Sequence, residues 1–190
     1  MQMKIQVNSM VKSCNFQLRE LGRIRDFLSS DAATSVIHAF ITSRLDYANS
    51  LLAGLPDTEI KKLQKIQNTA ARILTRTRKY DHISHILQNL HWLKVHDRIT
   101  FKILVLTYKC LHDMAPSYLS ELLNWAQPTR SLRSSNKLML TVPKARPFYG
   151  ERAFQYIAPV KWNELPYGLK SESTLTSFKT ALKSRLLLQQ

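Results

Sequence analysis

The chain has 190 residues, 44% of them hydrophobic, which is enough for one or two domains with real cores and too many for a wholly disordered chain. Lysine and arginine number 28 against 13 acids, a formal charge of +15 that attracts phosphate polymers or anionic membrane. A membrane span is excluded: the longest apolar run, Ile103 to Thr107, is broken by Lys102 and Lys109, far short of the ~18 residues required.

Apolar spacing sets out the elements in chain order. Val7, Met10, Val11, Cys14, Leu18 and Leu21 recur at helical intervals and predict a first helix ending near Gly22. The segment before it, MQMKIQVNSM, has no apolar signal core, so nothing points to export and an intracellular chain is expected, cytoplasmic or nuclear. Ser29-Ser30-Asp31 supplies an N-cap for a second helix with Val36, Ile37, Phe40, Ile41 and Leu45 facing inward. Gly54 and Pro56 punctuate, Asp57 can cap, and a third helix runs to about Thr75. Asp81 is expected to start a short helix through Leu90. A long one from Val95 carries Ile99, Ile103, Leu104, Leu106 and Leu111 inward until Pro116 stops it, and SYLSELLNW reads as one more short helix.

Six of the seven prolines lie at Pro116 or later, and the pattern changes after Trp125. QPTRSLRSSNK is polar, basic and aperiodic, hence a loop, and KLMLTV reads as a short strand. ERAFQYIAPVKWNEL looks helical, with Pro159 kinking or interrupting it, and STLTSFKTALKSRLL is a last amphipathic helix. The expected fold class is mainly α, a multi-helix array of about six to eight helices with one short strand or hairpin in the C-terminal third. The expected divisions are a helical array over 1–124, a basic loop with the strand over 125–148, and a helical extension over 149–190.

The third helix holds the most unusual charge pattern. Residues 61 to 80 contain Lys61, Lys62, Lys65, Arg72, Arg76, Arg78 and Lys79 and no acid. At about 100° per residue, Lys61, Lys65, Arg72 and Arg76 fall within about 60° of one another, opposite Ile66, Ala70, Ile73 and Leu74. Any solvated face is charged, but an ordinary one intersperses glutamate, because like charges four apart cost about 0.2–0.5 kcal/mol per pair. One sign only predicts a grip on RNA or DNA phosphate by Lys61, Lys65, Arg72, Arg76, Arg78 and Lys79.

A second cluster, Arg130, Arg133, Lys137, Lys144, Arg146 and Arg152, surrounds the loop and strand with Glu151 as the one acid. Arg130, Arg133 and Lys137 are assigned to the same phosphate-holding set. Phe148 and Tyr149 could stack on unpaired bases, although core packing suits Phe148 better.

Catalytic patterns are missing. No two of the 13 acids are adjacent, and four glycines make no phosphate-cradling loop. His82, His85, His91 and His96 crowd together, but His82 and His85 do not align on a helix and no cysteine is near, so capping or structural roles are expected and no metal. Cys14 and Cys110 sit on apolar faces, which favours two buried thiols in a reducing compartment over a disulfide or a nucleophile. No cofactor, small-molecule substrate or autonomous catalysis is expected.

Six blocks then follow one another in order: SRLDYANSLLAGLP (43–56), LQKIQNTAARILTRTRKYDHI (63–83), LHWLKVHDRITFKILVLTYKCLHDMAPSYLSELL (90–123), RSLRS (130–134), YGERAFQYIAPVKWNELP (149–166) and LTSFKTALKSRL (175–186). Together they resemble the region downstream of the polymerase core in LINE-type, non-LTR retrotransposon reverse transcriptases of jockey-like clades. The resemblance implies a C-terminal piece of an RNA-directed DNA polymerase that works with element RNA and target DNA. It implies no catalytic residue here, since the family's aromatic-x-Asp-Asp hairpin lies upstream and Asp46 is a lone acid. It also implies a truncated copy or a reading frame inside a decayed element. A separate reading is a helical scaffold that docks on the missing polymerase core, with Trp92, Trp125 and Trp162 as candidate anchors, although internal packing suits each of them better.

Overall fold

A computed structural model describes residues 2–126, 138–146 and 150–189. The chain forms two compact units, one reaching to Arg98 and one spanning Ile99–Leu188. Among the described residues no helix is long and apolar enough to cross a membrane.

The first unit is built on α1 (Gln2–Ile24) and α4 (Asp57–Thr75), which pack against each other. Val7, Cys14, Leu18 and Leu21 of α1 and Leu63, Ile66, Ala70 and Leu74 of α4 are buried, the facing stripes that the spacing predicts. α1 does not stop at Gly22. A glycine ends a helix by taking a left-handed φ, and Gly22 does not, so it costs helix propensity without breaking the turn. After a 3₁₀ turn (Arg25–Phe27), the Ser29 hydroxyl accepts from the Ala32 N–H at 3.2 Å and starts α2 (Ser30–Ile37). A π turn (His38–Thr42) carries the chain into α3 (Ser43–Asp46) and a 3₁₀ turn (Asn49–Leu52). The π turn widens the helix, leaving Phe40 45% exposed where an inward ring is predicted, while Ile41 and Leu45 stay buried.

Pro56, rather than Asp57, is the cap residue of α4; Asp57 and Glu59 occupy its first turn and meet the positive end of the dipole. Likewise His82, rather than Asp81, precedes α5 (Ile83–Asn89). Gln64 and Gln67 then bind the next connection: the Leu93 carbonyl accepts from Gln67 Nε2 at 2.8 Å, and Gln64 Oε1 accepts from the Val95 N–H at 2.8 Å. Arg98 closes the unit with a two-pronged ion pair to Asp46, at 2.8 and 3.0 Å.

α6 (Val95–Leu111) runs from the first unit into the second. In the second, α7 (Ser117–Ser120) is shorter than SYLSELLNW predicts, and α8 (Phe154–Asn163), α9 (Tyr167–Lys170) and α10 (Leu175–Leu188) follow a 3₁₀ turn (Gly150–Arg152). Pro159 is accommodated inside α8 without ending it. The Tyr108 and Phe178 rings stack at 4.5 Å, with Trp162 6.0 Å from Phe178, all three inaccessible to water.

The mainly helical class is correct, but the short strand or hairpin is not: no strand occurs among the described residues. Lys137 lies outside them; in the rest of KLMLTV, Leu138 has a left-handed φ of 49°, which breaks an extended run at its start. Leu140 makes only an isolated antiparallel bridge to Trp125. Its other backbone edge is taken by a side chain: Asn163 Oδ1 accepts from the Leu140 N–H at 2.9 Å, and Asn163 Nδ2 donates to the Leu140 carbonyl at 2.8 Å. Trp162 Nε1 adds a bond to the Leu138 carbonyl at 2.9 Å. With a helix supplying these partners, a second strand is not needed. Asn163→Ala is expected to leave both Leu140 groups unpaired and lower stability by about 2 kcal/mol in urea unfolding with helicity retained; an unchanged midpoint would show that the clamp carries no stability.

Candidate nucleic-acid interface

α4 turns its buried side toward α1, α2 and α5, which leaves the opposite side in water. Lys61 and Lys65, one turn apart there, are exposed, and their ammonium groups have no hydrogen bond or ion pair among the described residues. The nearby Lys62 differs. Its ammonium lies 2.9 Å from the buried Glu59 carboxylate and 3.0 Å from Asn8 Oδ1, so it ties α4 to α1.

The wheel places Arg72 and Arg76 on the same stripe, and the structure gives both other work. The half-buried Arg72 donates from Nε to the Arg78 carbonyl at 3.3 Å and from Nη2 to the Asp81 carbonyl at 3.0 Å, pinning the following turn to the helix. Arg76 lies just past the helix at a left-handed φ of 54°, with Nη2 3.7 Å from Asp26 Oδ1 and 3.5 Å from the Arg25 carbonyl. Beyond it, the Asp81 N–H donates to the Arg78 carbonyl at 3.3 Å and Asp81 Oδ2 accepts from the Arg78 N–H at 3.2 Å. Arg78 and Lys79 project from that turn into solvent, Lys79 Nζ lying 5.7 Å from the Tyr80 ring centre. The six cations assigned from sequence thus divide into a set whose side chains meet no carboxylate among the described residues, Lys61, Lys65, Arg78 and Lys79, and a pair, Arg72 and Arg76, that also shapes the surface.

The spacing gave no hint of Arg25. Its guanidinium, largely buried, donates to the carbonyls of Ile73 at 3.0 Å, Leu74 at 2.8 Å and Leu28 at 2.9 Å. It caps the C-terminus of α4, where carbonyls lack helical partners and the dipole favours a cation. Ile73 and Leu74 are nearly fifty residues away in sequence, so no local pattern signals them.

Arg130, Arg133 and Lys137 lie outside the described residues, as do Phe148 and Tyr149. Lys144 and Arg146 are exposed in the second unit. Trp92 and Trp162 are buried, and Trp125 is exposed. His82, His85, His91 and His96 are exposed, and among the described residues no three His, Cys, Asp or Glu side chains group to hold a metal ion.

Cys14 and Cys110 are buried free thiols. Burial raises both above the ordinary value of 9.0, with Arg44 drawing Cys14 back and a Ser120 hydrogen bond drawing Cys110 back. Each therefore contributes stability that is fully present below the unfolded value and lost as pH rises through the higher folded one. Stability is expected to fall above about pH 9, and a thiol reagent near neutral pH should modify neither cysteine until denaturant is added. Rapid labelling of the native chain would contradict this.

Compared with protein-family models, with curated proteins and with solved structures, the chain matches none of them.

Proposed function

We propose that this chain is a non-catalytic part of a LINE-type RNA-directed DNA polymerase that holds element RNA or target DNA by its phosphate backbone. The observation that carries this reading is the set of exposed cations on α4 and its following turn, Lys61, Lys65, Arg78 and Lys79, with no carboxylate engaging their side chains among the described residues. Arg72 and Arg76 hold the turn and the helix end in place and add charge beside it. Arg130, Arg133 and Lys137 belong to the proposal through the sequence alone. The test is a titration of RNA and of DNA oligonucleotides over a range of salt concentrations. With four single-strand phosphate contacts, log K should fall against log [salt] with a slope of about −3. Salt-independent binding, or none at all, would refute it.

A second reading is a helical scaffold that docks on the polymerase core. Tyr47 at 80% and Leu51 at 68% exposure, beside the half-exposed Phe40, favour it, because large apolar side chains close in sequence and open to water gain by being covered. Supplying the upstream polymerase segment in trans would then convert a self-associating chain into a monodisperse complex; a chain that stays monomeric and ignores the segment would exclude docking.

A further inference from the structure

Two aromatic rings stand almost wholly in water at one end of α4: Tyr80, 89% exposed, and Phe27, 87% exposed. Among the described residues neither stacks on another ring. Both are carried by backbone that α4 holds in place. Tyr80 is the third residue of the 78–81 turn, which Arg72 grips through the Arg78 and Asp81 carbonyls. Phe27 closes the 3₁₀ turn whose first residue, Arg25, is bonded into the Ile73 and Leu74 carbonyls. Arg76 joins the two segments at the same helix end, reaching the Arg25 carbonyl and Asp26.

From this we infer that the C-terminal end of α4 is a stacking platform for unpaired bases, so that the ligand of this surface is a single strand. The inference rests on the phosphate-holding reading above and specifies its substrate. An exposed ring contributes little to the fold, yet its anchored backbone keeps the π face presented, so little ordering remains to be done on binding. The surroundings choose the occupant. Lys79 Nζ lies 5.7 Å from the Tyr80 ring centre, the exposed Arg78 shares its turn, and Arg76 reaches Asp26, the residue before Phe27; an apolar protein groove closing over Tyr80 would have to strip these cations of water without compensation. A single strand offers flat faces for the rings and phosphates for the cations together, whereas a duplex keeps its bases stacked inside.

The test compares wild type with Tyr80→Ala and Phe27→Ala on oligo-thymidine and on a blunt duplex at matched salt. Each alanine is expected to weaken oligo-thymidine binding by roughly 5- to 100-fold, with duplex affinity and salt slope unchanged. Tyr80→Trp should retain binding, because any π face serves. Photolysis of an iodouracil-substituted oligonucleotide should cross-link to Tyr80 or Phe27. If wild type binds with the expected salt slope and both alanine variants bind oligo-thymidine equally well, the platform is wrong and the phosphate grip stands. An equal loss on single strand and duplex would also overturn the platform. If wild type binds neither ligand, both ideas fail.

Discussion

Changing Lys61, Lys65, Arg78 and Lys79 together to alanine should weaken single-strand binding on the order of 100-fold at low salt while leaving the fold intact. Each phosphate contact contributes about 0.7 to the salt slope on a single strand, so removing four takes away a slope of about 3. Stability should move the other way. Lys61 and Lys65 are four apart on one helical face, and relieving such a like-charge pair returns about 0.2–0.5 kcal/mol. No carboxylate loses a partner, since none engages these four side chains among the described residues. Lost binding with equal or higher stability separates this outcome from simple unfolding. Arg72→Ala makes the useful contrast, because it frees the 78–81 turn and acts on binding through Arg78, Lys79 and Tyr80 as well as through its own charge.

Arg25→Met is expected to have the largest effect on stability, about 3 kcal/mol, although the residue touches no proposed ligand. Methionine matches the stem in bulk but donates nothing, so the Ile73, Leu74 and Leu28 carbonyls lose a charged donor in a largely buried place. Two of those carbonyls end α4, where the dipole already concentrates negative charge. Arg25→Lys should recover only part of the loss, because one ammonium cannot reproduce the fork of a guanidinium. Urea unfolding followed by circular dichroism would measure both, and a loss below about 1 kcal/mol would mean that water replaces the guanidinium at little cost.

Helical faces were legible because burial follows period: Val7, Cys14 and Leu18 or Leu63, Ile66 and Ala70 need only the count of residues per turn. Helix ends were less so. Ser29 caps as its side chain suggests, but Pro56 and His82 take the cap positions where Asp57 and Asp81 were expected, shifting each start by one residue. The strand misreading has a different origin. The apolar run in KLMLTV suggests a strand, but Leu138 turns left-handed, and the partners of Leu138 and Leu140 are Trp162 and Asn163, more than twenty residues away.

The site divides in the same manner. That Lys61 and Lys65 face solvent could be read from a wheel. That Arg72 would bind two carbonyls and Arg76 approach Asp26 could not, because a wheel records direction and not reach, whereas the Lys62–Glu59 pair is an i,i+3 spacing that starts just outside the acid-free run. Asp46, a lone acid in the sequence, is paired with Arg98 fifty-two residues on, for the same reason. A run of one charge in sequence thus overstates the charge left unpaired in space.

The most direct measurement is the reactivity of individual lysines toward an amine-acylating reagent, with and without oligo-thymidine, read by peptide mass spectrometry. Lys61, Lys65 and Lys79 should become protected when the strand is bound, while Lys179 and Lys183 of α10 label alike in both states. Unchanged labelling of the α4 lysines under conditions where the strand is bound would show that phosphate is held elsewhere.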